Sequence, residues 1–234
     1  MNYNEGIMLV DKPLGFTSHD IVAIVRRNLN FSKVGHAGTL DPMATGLLIM
    51  LLGRFTKKSI YFSNYDKEYE ATLRLGVATD SGDKEGKVTE EKDLGPFGEK
   101  IKNIEHAFKS FLGEIRQVPP MFSAKKVKGK KLYEFARKGI TLKREPKLIV
   151  IKDIVILDIS LPHVTFRVKC SKGTYVRQLG HDMGEKIGCG AHLVSLRRTK
   201  IGPFSVKDAL SLDELRSPAG SRNTRIHENI LQLK

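Results

Sequence analysis

The chain has no tryptophan, only two cysteines in 234 residues, and no apolar run approaching a membrane span. Each shortage excludes something. Cys170 and Cys189 cannot build the disulfide framework on which small secreted proteins depend, and a chain this long can bury a core without one. A reducing cytoplasm is therefore the expected compartment. Crossing a bilayer takes roughly 20 consecutive apolar residues. Met1 to Glu5 also lacks the basic start of a signal peptide, so no membrane role is expected. No Gly-Lys-Ser/Thr follows a glycine cluster, Gly188-Cys189-Gly190 lacks the third glycine of a dinucleotide fingerprint, and no serine sits in a Gly-x-Ser-x-Gly elbow. Cys170, His181, Cys189 and His192 lie near one another in sequence but match only half of a zinc spacing, so buried thiols and ordinary histidines explain them more cheaply.

Acid is also scarce, and unevenly so. Lysine and arginine number 40 against 26 acids, giving a net charge of +14. From Arg116 to Lys147 there are eleven basic residues and only Glu134 and Glu145 to oppose them. Phe122, Tyr133 and Phe135 are interleaved with Lys125, Lys126, Lys128, Lys130, Lys131 and Arg137, offering ring faces on which bases can stack. Val118-Pro119-Pro120 stiffens one end of the segment, and Gly129 and Gly139 supply bends. Density, aromatic interleaving and overall charge agree on a finger that grips a nucleic-acid backbone rather than a merely solvated face.

The third scarcity is acid around Asp41. Gly35-His36-Ala37-Gly38-Thr39-Leu40-Asp41-Pro42-Met43-Ala44-Thr45-Gly46 places one carboxylate among glycines and a proline, immediately before the apolar run Leu47 to Leu52. This is a shaped loop presenting one acid beside a rigid element. Locally, a turn-forming aspartate and a catalytic one remain alternatives. Cys170 to Arg177 ends a strand, turns at Gly173 and sets Tyr175 and Arg177 at a helix start. There the arginine can orient a carboxylate or hold a phosphate, and the pattern leaves both open.

Elements can be read along the chain. Strands are expected at Ile7–Val10, Tyr69–Leu75, Leu148–Leu157, Val164–Cys170 and Leu193–Leu196, the second alternating apolar and polar. Helices are expected after the Thr17/Asp20 capping pair, over Phe55–Asn64, over Ile101–Leu112, from near Thr174, and after the Ser211/Glu214 pair. Residues 79–98, rich in Gly, Asp, Glu and Lys, read as a surface excursion. Without regular alternation the class is α+β.

Taken together, the Gly35–Gly46 block, Asp66-Lys67-Glu68-Tyr69, Val118–Ala124, Tyr133–Arg137, Cys170–Arg177 and Arg198–Phe204 resemble, in order, the bacterial tRNA pseudouridine-55 synthases of the TruB family. The resemblance implies the pseudouridine-synthase fold, a mixed and mostly antiparallel sheet flanked by helices, with the basic segment as a thumb-like insertion. It implies Asp41 as catalytic aspartate, Tyr69 against the target uracil, and Arg177 paired with Asp41. His36, Tyr175 and Leu196 would line the nucleotide pocket, with Lys12 supporting it. The implied substrate is the T stem-loop of tRNA, with the base flipped out, no cofactor, and a monomer needing no protein partner. Residues 1–210 would form the catalytic domain and 211–234 a short helix and tail, without the further C-terminal RNA-binding domain common in bacterial relatives. Two other classes stay in view: a non-catalytic RNA-binding or tRNA-folding protein, and the same chemistry on another structured RNA.

Overall fold

The structure, a computed structural model, describes residues 5–95, 98–123, 126–127, 129–216 and 229–231. In chain order the elements are β1 (Gly6–Lys12), α1 (Ser18–Leu29), β2 (Val34–Ala37), β3 (Ala44–Leu52), α2 (Ser59–Ser63), β4 (Lys67–Leu75), β5 (Val77–Thr79) and β6 (Val88–Glu91). There follow α3 (Gly98–Lys109), β7 (Gly113–Gln117), β8 (Lys126–Val127), β9 (Lys130–Lys131), α4 (Leu132–Ala136), β10 (Lys147–Ser160) and β11 (His163–Cys170). The chain closes with α5 (Val176–Ile187), β12 (Ala191–Ile201), β13 (Phe204–Ser205), α6 (Leu212–Arg216) and β14 (Ile230–Leu231). Mostly antiparallel strands with irregularly placed helices make this α+β, as expected.

Residues group into two compact units, one of 1–69 with 196–234, the other of 70–195. The chain leaves the first within β4 and returns within β12. In the first unit the strand order is β14-β1-β3-β12, with β2 also on β3 and β13 on β12. β1 and β2 run antiparallel to β3, whereas β12 runs parallel to it. β3 is buried nearly throughout because both faces are covered. Met8, Val10, Leu48 and Met50 meet Ile21 and Val25 of α1 on one side, and Ile7, Leu9, Ile49 and Leu51 pack with Phe62 and Phe204 on the other. A continuous apolar strand is what two-sided burial demands. α1 begins at a capping box in which Thr17 and Asp20 satisfy each other's backbone donors, and α6 opens on the matching Ser211/Glu214 pair.

In the second unit β11 lies between β4 and β10, and β7 pairs with the start of β10. Phe108 of α3 meets Phe166 of β11 edge-on at 5.2 Å, burying the apolar face that the sequence periodicity marks. Some boundaries move. β12 runs well beyond Leu193–Leu196, and the last helix of this unit starts at Val176, because the Thr174 hydroxyl bonds the Ser171 carbonyl and closes a turn first. The 79–98 stretch is only partly a surface excursion. Thr79 and Asp83 are buried, since the Thr79 hydroxyl bonds the Asp83 carbonyl and Asp83 bridges to Leu193.

Candidate active site

The segment from Gly38 to Met43 has no regular structure, so its backbone must find partners elsewhere. It does so on the carbonyl side from Gly38 to Pro42. The Arg198 guanidinium donates to Gly38 O at 3.0 Å and Thr39 O at 3.5 Å. The Ser18 hydroxyl donates to Leu40 O and accepts from Leu40 N, Ala44 N donates to Asp41 O, and Gly15 N donates to Pro42 O. The Lys12 ammonium adds a longer contact to Pro42 O at 3.5 Å and holds Phe16 O at 2.7 Å and Pro13 O at 2.9 Å. Asp41, half-buried, thus projects from a backbone whose carbonyls from 38 to 42 all have donors.

The arrangement follows from strand register. Lys12 of β1 lies opposite Gly46 of β3, and Gly46 lies opposite Arg198 of β12. Two cations are therefore delivered in one row to the foot of the Asp41 loop. Gly46 has φ +103°, and a Cβ there would overlap the Arg198 main chain, so only glycine fits. Arg198 is 1% exposed and Lys12 fully buried. Burying a cation is costly, and here both spend their donors on main-chain carbonyls, with Arg198 also reaching Leu47 O at 2.8 Å. Burial lowers the Lys12 pKa to about 8; the Asp41 charge opposes that shift and Arg198 reinforces it. His36, on β2, is pushed toward its neutral form by burial first and then by Arg198, and its Nδ1 is enclosed with no hydrogen-bond partner among the described residues.

The other expected residues can be placed individually. Tyr69 is buried on β4, and Leu196 sits on β12 opposite Ala44, three residues beyond Asp41. In the second unit Tyr175 caps α5, and Arg177 lies one residue inside that helix. Arg177 is buried, donating to Ser81 O at 2.9 Å and Phe122 O at 2.6 Å, with Asp83 at 3.4 Å. Two main-chain carbonyls and one carboxylate thus fix the direction of the guanidinium. Of the basic insertion, Lys125 and Lys128 lie outside the described residues, and Lys126 and Lys131 are located by backbone only. Lys130 and Arg137 are exposed, and the Arg137 guanidinium stands 5.3 Å from the Tyr133 ring centre. Leu132 anchors α4, Tyr133 N bonds Ser123 O, and Arg144 bonds Pro119 O across the base of the insertion.

Cys170 and Cys189 are buried thiols, His192 bonds Val77 O, and His181 stands beside Asp182. Sequence reading did not single out Arg198, Ser18, Asp83 or Gln117 as site residues. Arg198 opens a block already noted and Ser18 adjoins the Thr17/Asp20 pair, but only strand register and the loop's return to α1 show what they hold.

The family model described as TruB family pseudouridylate synthase (N terminal domain) matches residues 26–176, and that of the tRNA pseudouridylate synthase B C-terminal domain matches residues 177–232. The tRNA pseudouridine synthase B of Opitutus terrae is 50% identical over 211 residues, 90% of this chain and 87% of that protein. Its namesake in Protochlamydia amoebophila is 47% identical over 229 residues, 97% of this chain and 84% of that one. Among solved structures, a Cbf5-Nop10-Gar1 complex contains a chain 32% identical, with a TM-score of 0.70; the match covers 90% of this chain and 53% of that one.

Proposed function

The chain belongs to the TruB family of pseudouridylate synthases, and on that premise we propose that it isomerises the uridine at position 55 in the T loop of tRNA, with Asp41 as its single catalytic aspartate. That it is a tRNA pseudouridine synthase, an isomerase, rests on its relatives. The observation that carries the finer reading is the Asp41 mount: one half-buried carboxylate on a loop whose carbonyls are all held, with two buried cations at its foot.

The chemistry fits such a mount. The C1′–N1 bond breaks, the uracil turns, C1′ bonds to C5, C5 gives up its proton and N1 gains one. No electrons are exchanged with an outside group. The carboxylate attacks C1′, attacks C6 or removes the 2′ hydrogen, and each route needs it ionised and fixed in place. Tyr69, His36, Leu196, Tyr175 and Arg177 would hold the flipped nucleotide, Lys12 would support the loop, and the basic insertion would grip the T-arm backbone. Flipping costs a few kcal/mol, which phosphate contacts can offset.

The test uses a T-arm hairpin and full tRNA with the wild type and Asp41→Asn, scoring pseudouridine at each uridine by carbodiimide mapping. Asp41→Asn is expected to lose at least about a thousandfold in rate while binding RNA normally. Modification at another uridine, or an active Asp41→Asn, would sink the assignment. A ribosomal RNA fragment in parallel separates tRNA from other structured RNAs.

A further inference from the structure

The basic insertion leaves the second unit's sheet after Gln117 and returns at Lys147, and these two residues face each other in the β7–β10 register. Gln117 therefore forms the neck of the insertion. Its side chain is 2% exposed, and its amide makes a two-way bond to the backbone of one residue, donating to Tyr175 O at 3.1 Å and accepting from Tyr175 N at 2.8 Å. Only one orientation of the amide satisfies both partners. Tyr175 has extended φ and ψ and caps α5 without any side-chain cap of its own, so Gln117 supplies a partner for that helix end. A second link runs alongside it, because Arg177 donates to Phe122 O inside the insertion's first turn.

We propose that Gln117 is a positioning residue that couples the seating of the basic insertion on RNA to the placement of Tyr175. The proposal rests on the reading that Tyr175 lines the nucleotide pocket. Physically, a strand end and a helix start share one bidentate contact. A shift of the neck as the insertion closes on phosphates must then either move the Tyr175 backbone or break two buried hydrogen bonds. Breaking them leaves a buried amide without partners, so the backbone follows. Gln117 needs no contact with RNA to do this.

The experiment uses the full chain with Gln117→Met, which keeps the side chain's length and volume but removes both bonds. Gln117→Glu, which keeps the acceptor for Tyr175 N, stands in should the methionine variant fail to fold. Single-turnover pseudouridine formation on a T-arm hairpin at saturating enzyme, and Kd by filter binding, are measured in two backgrounds: wild type and Lys130→Ala/Arg137→Ala. Gln117→Met is expected to lower the saturating rate by about tenfold with Kd within about twofold, and to cost less than about threefold in the second background. An unchanged rate, a loss confined to Kd, or equal costs in both backgrounds would overturn the coupling. A readout independent of activity is amide exchange at Tyr175. RNA binding should slow it in the wild type and leave it unchanged in Gln117→Met. If the wild type makes no pseudouridine yet shows that exchange pattern, the functional reading fails and the coupling stands. If exchange responds alike in both proteins, the coupling fails whatever the activity.

Discussion

Lysine and arginine do opposite jobs in the Asp41 mount and in the basic insertion. In the mount, Lys12 and Arg198 are out of contact with water and direct their donors at main-chain carbonyls. In the insertion, Lys130, Arg137, Lys138 and Lys143 stand in solvent. A buried cation with fixed partners shapes a backbone and sets the local field, and removing it leaves several acceptors stranded. An exposed cation contributes little to the fold and much to the attraction of a polyanion. The same residue types thus build rigidity in one place and affinity in the other, and burial decides which.

The contrast is broken most severely at Arg198. Arg198→Leu is expected to cost about 3–5 kcal/mol of stability, because three carbonyls lose their donor together. It should also lower the pseudouridylation rate by about a hundredfold or more through a displaced loop. Arg198→Lys, keeping charge without the planar fork, tests whether geometry or charge matters more. Thermal melts with single-turnover rates measure both, and a variant with wild-type rate would show that the loop does not need its anchor. Gly46→Ala attacks the same row from β3. With φ +103° and the Arg198 main chain where the methyl would go, it should lose about 3 kcal/mol and most of the activity.

The insertion should answer differently. Lys130→Ala, Arg137→Ala, Lys138→Ala and Lys143→Ala together are expected to weaken T-arm binding by about ten- to a hundredfold near 0.1 M salt and to flatten its salt dependence. Stability should change by no more than about 0.5 kcal/mol. Filter binding across a salt series checks the first and urea unfolding the second. A large loss of stability would mean that these side chains are structural after all.

The asymmetry also explains what could be read from the sequence. Counting charge finds the insertion, because exposed lysines act by number and density, and Arg116 to Lys147 stands out without any coordinates. The strands at Ile7–Val10 and Tyr69–Leu75 and the Thr17/Asp20 cap were legible for a similar reason, since period and capping are local. Asp41 was conspicuous, but its local pattern left a turn residue and a catalytic one both open. Of its loop's partners the resemblance named Lys12 alone, and how they meet was not legible. Lys12, Gly46 and Arg198 are distant in sequence and meet only through the β1–β3–β12 register. Asp83 was hidden in a stretch whose composition says loop, because its burial depends on a bridge to β12 and the guanidinium of Arg177.

The smallest expected effect is also the sharpest, because two properties should move in opposite directions with pH. Burial holds the Lys12 pKa at about 8 against an ordinary 10.5; Asp41 and Asp20 pull it up, and Arg198 pushes it down. Between those values the unfolded chain carries more protons than the folded one, so Lys12 makes the fold more stable as pH rises through that window. The gain should be of order 1–3 kcal/mol. Activity should do the reverse. Above about pH 8 the ammonium loses its charge beside Asp41 and one of its three donors, so the rate should fall by about threefold to tenfold by pH 9.5. Tyrosines and other lysines titrate in the same range, so the quantity to measure is the difference between wild type and Lys12→Met. Urea unfolding and single-turnover rates are taken for both from pH 7 to 9.5. A stability difference that rises while the rate difference shrinks would identify Lys12 as a buried charge that weakens the fold to serve the loop. If both differences stay flat, the ammonium does not titrate in this range, and its contacts with the three carbonyls would then outweigh its burial.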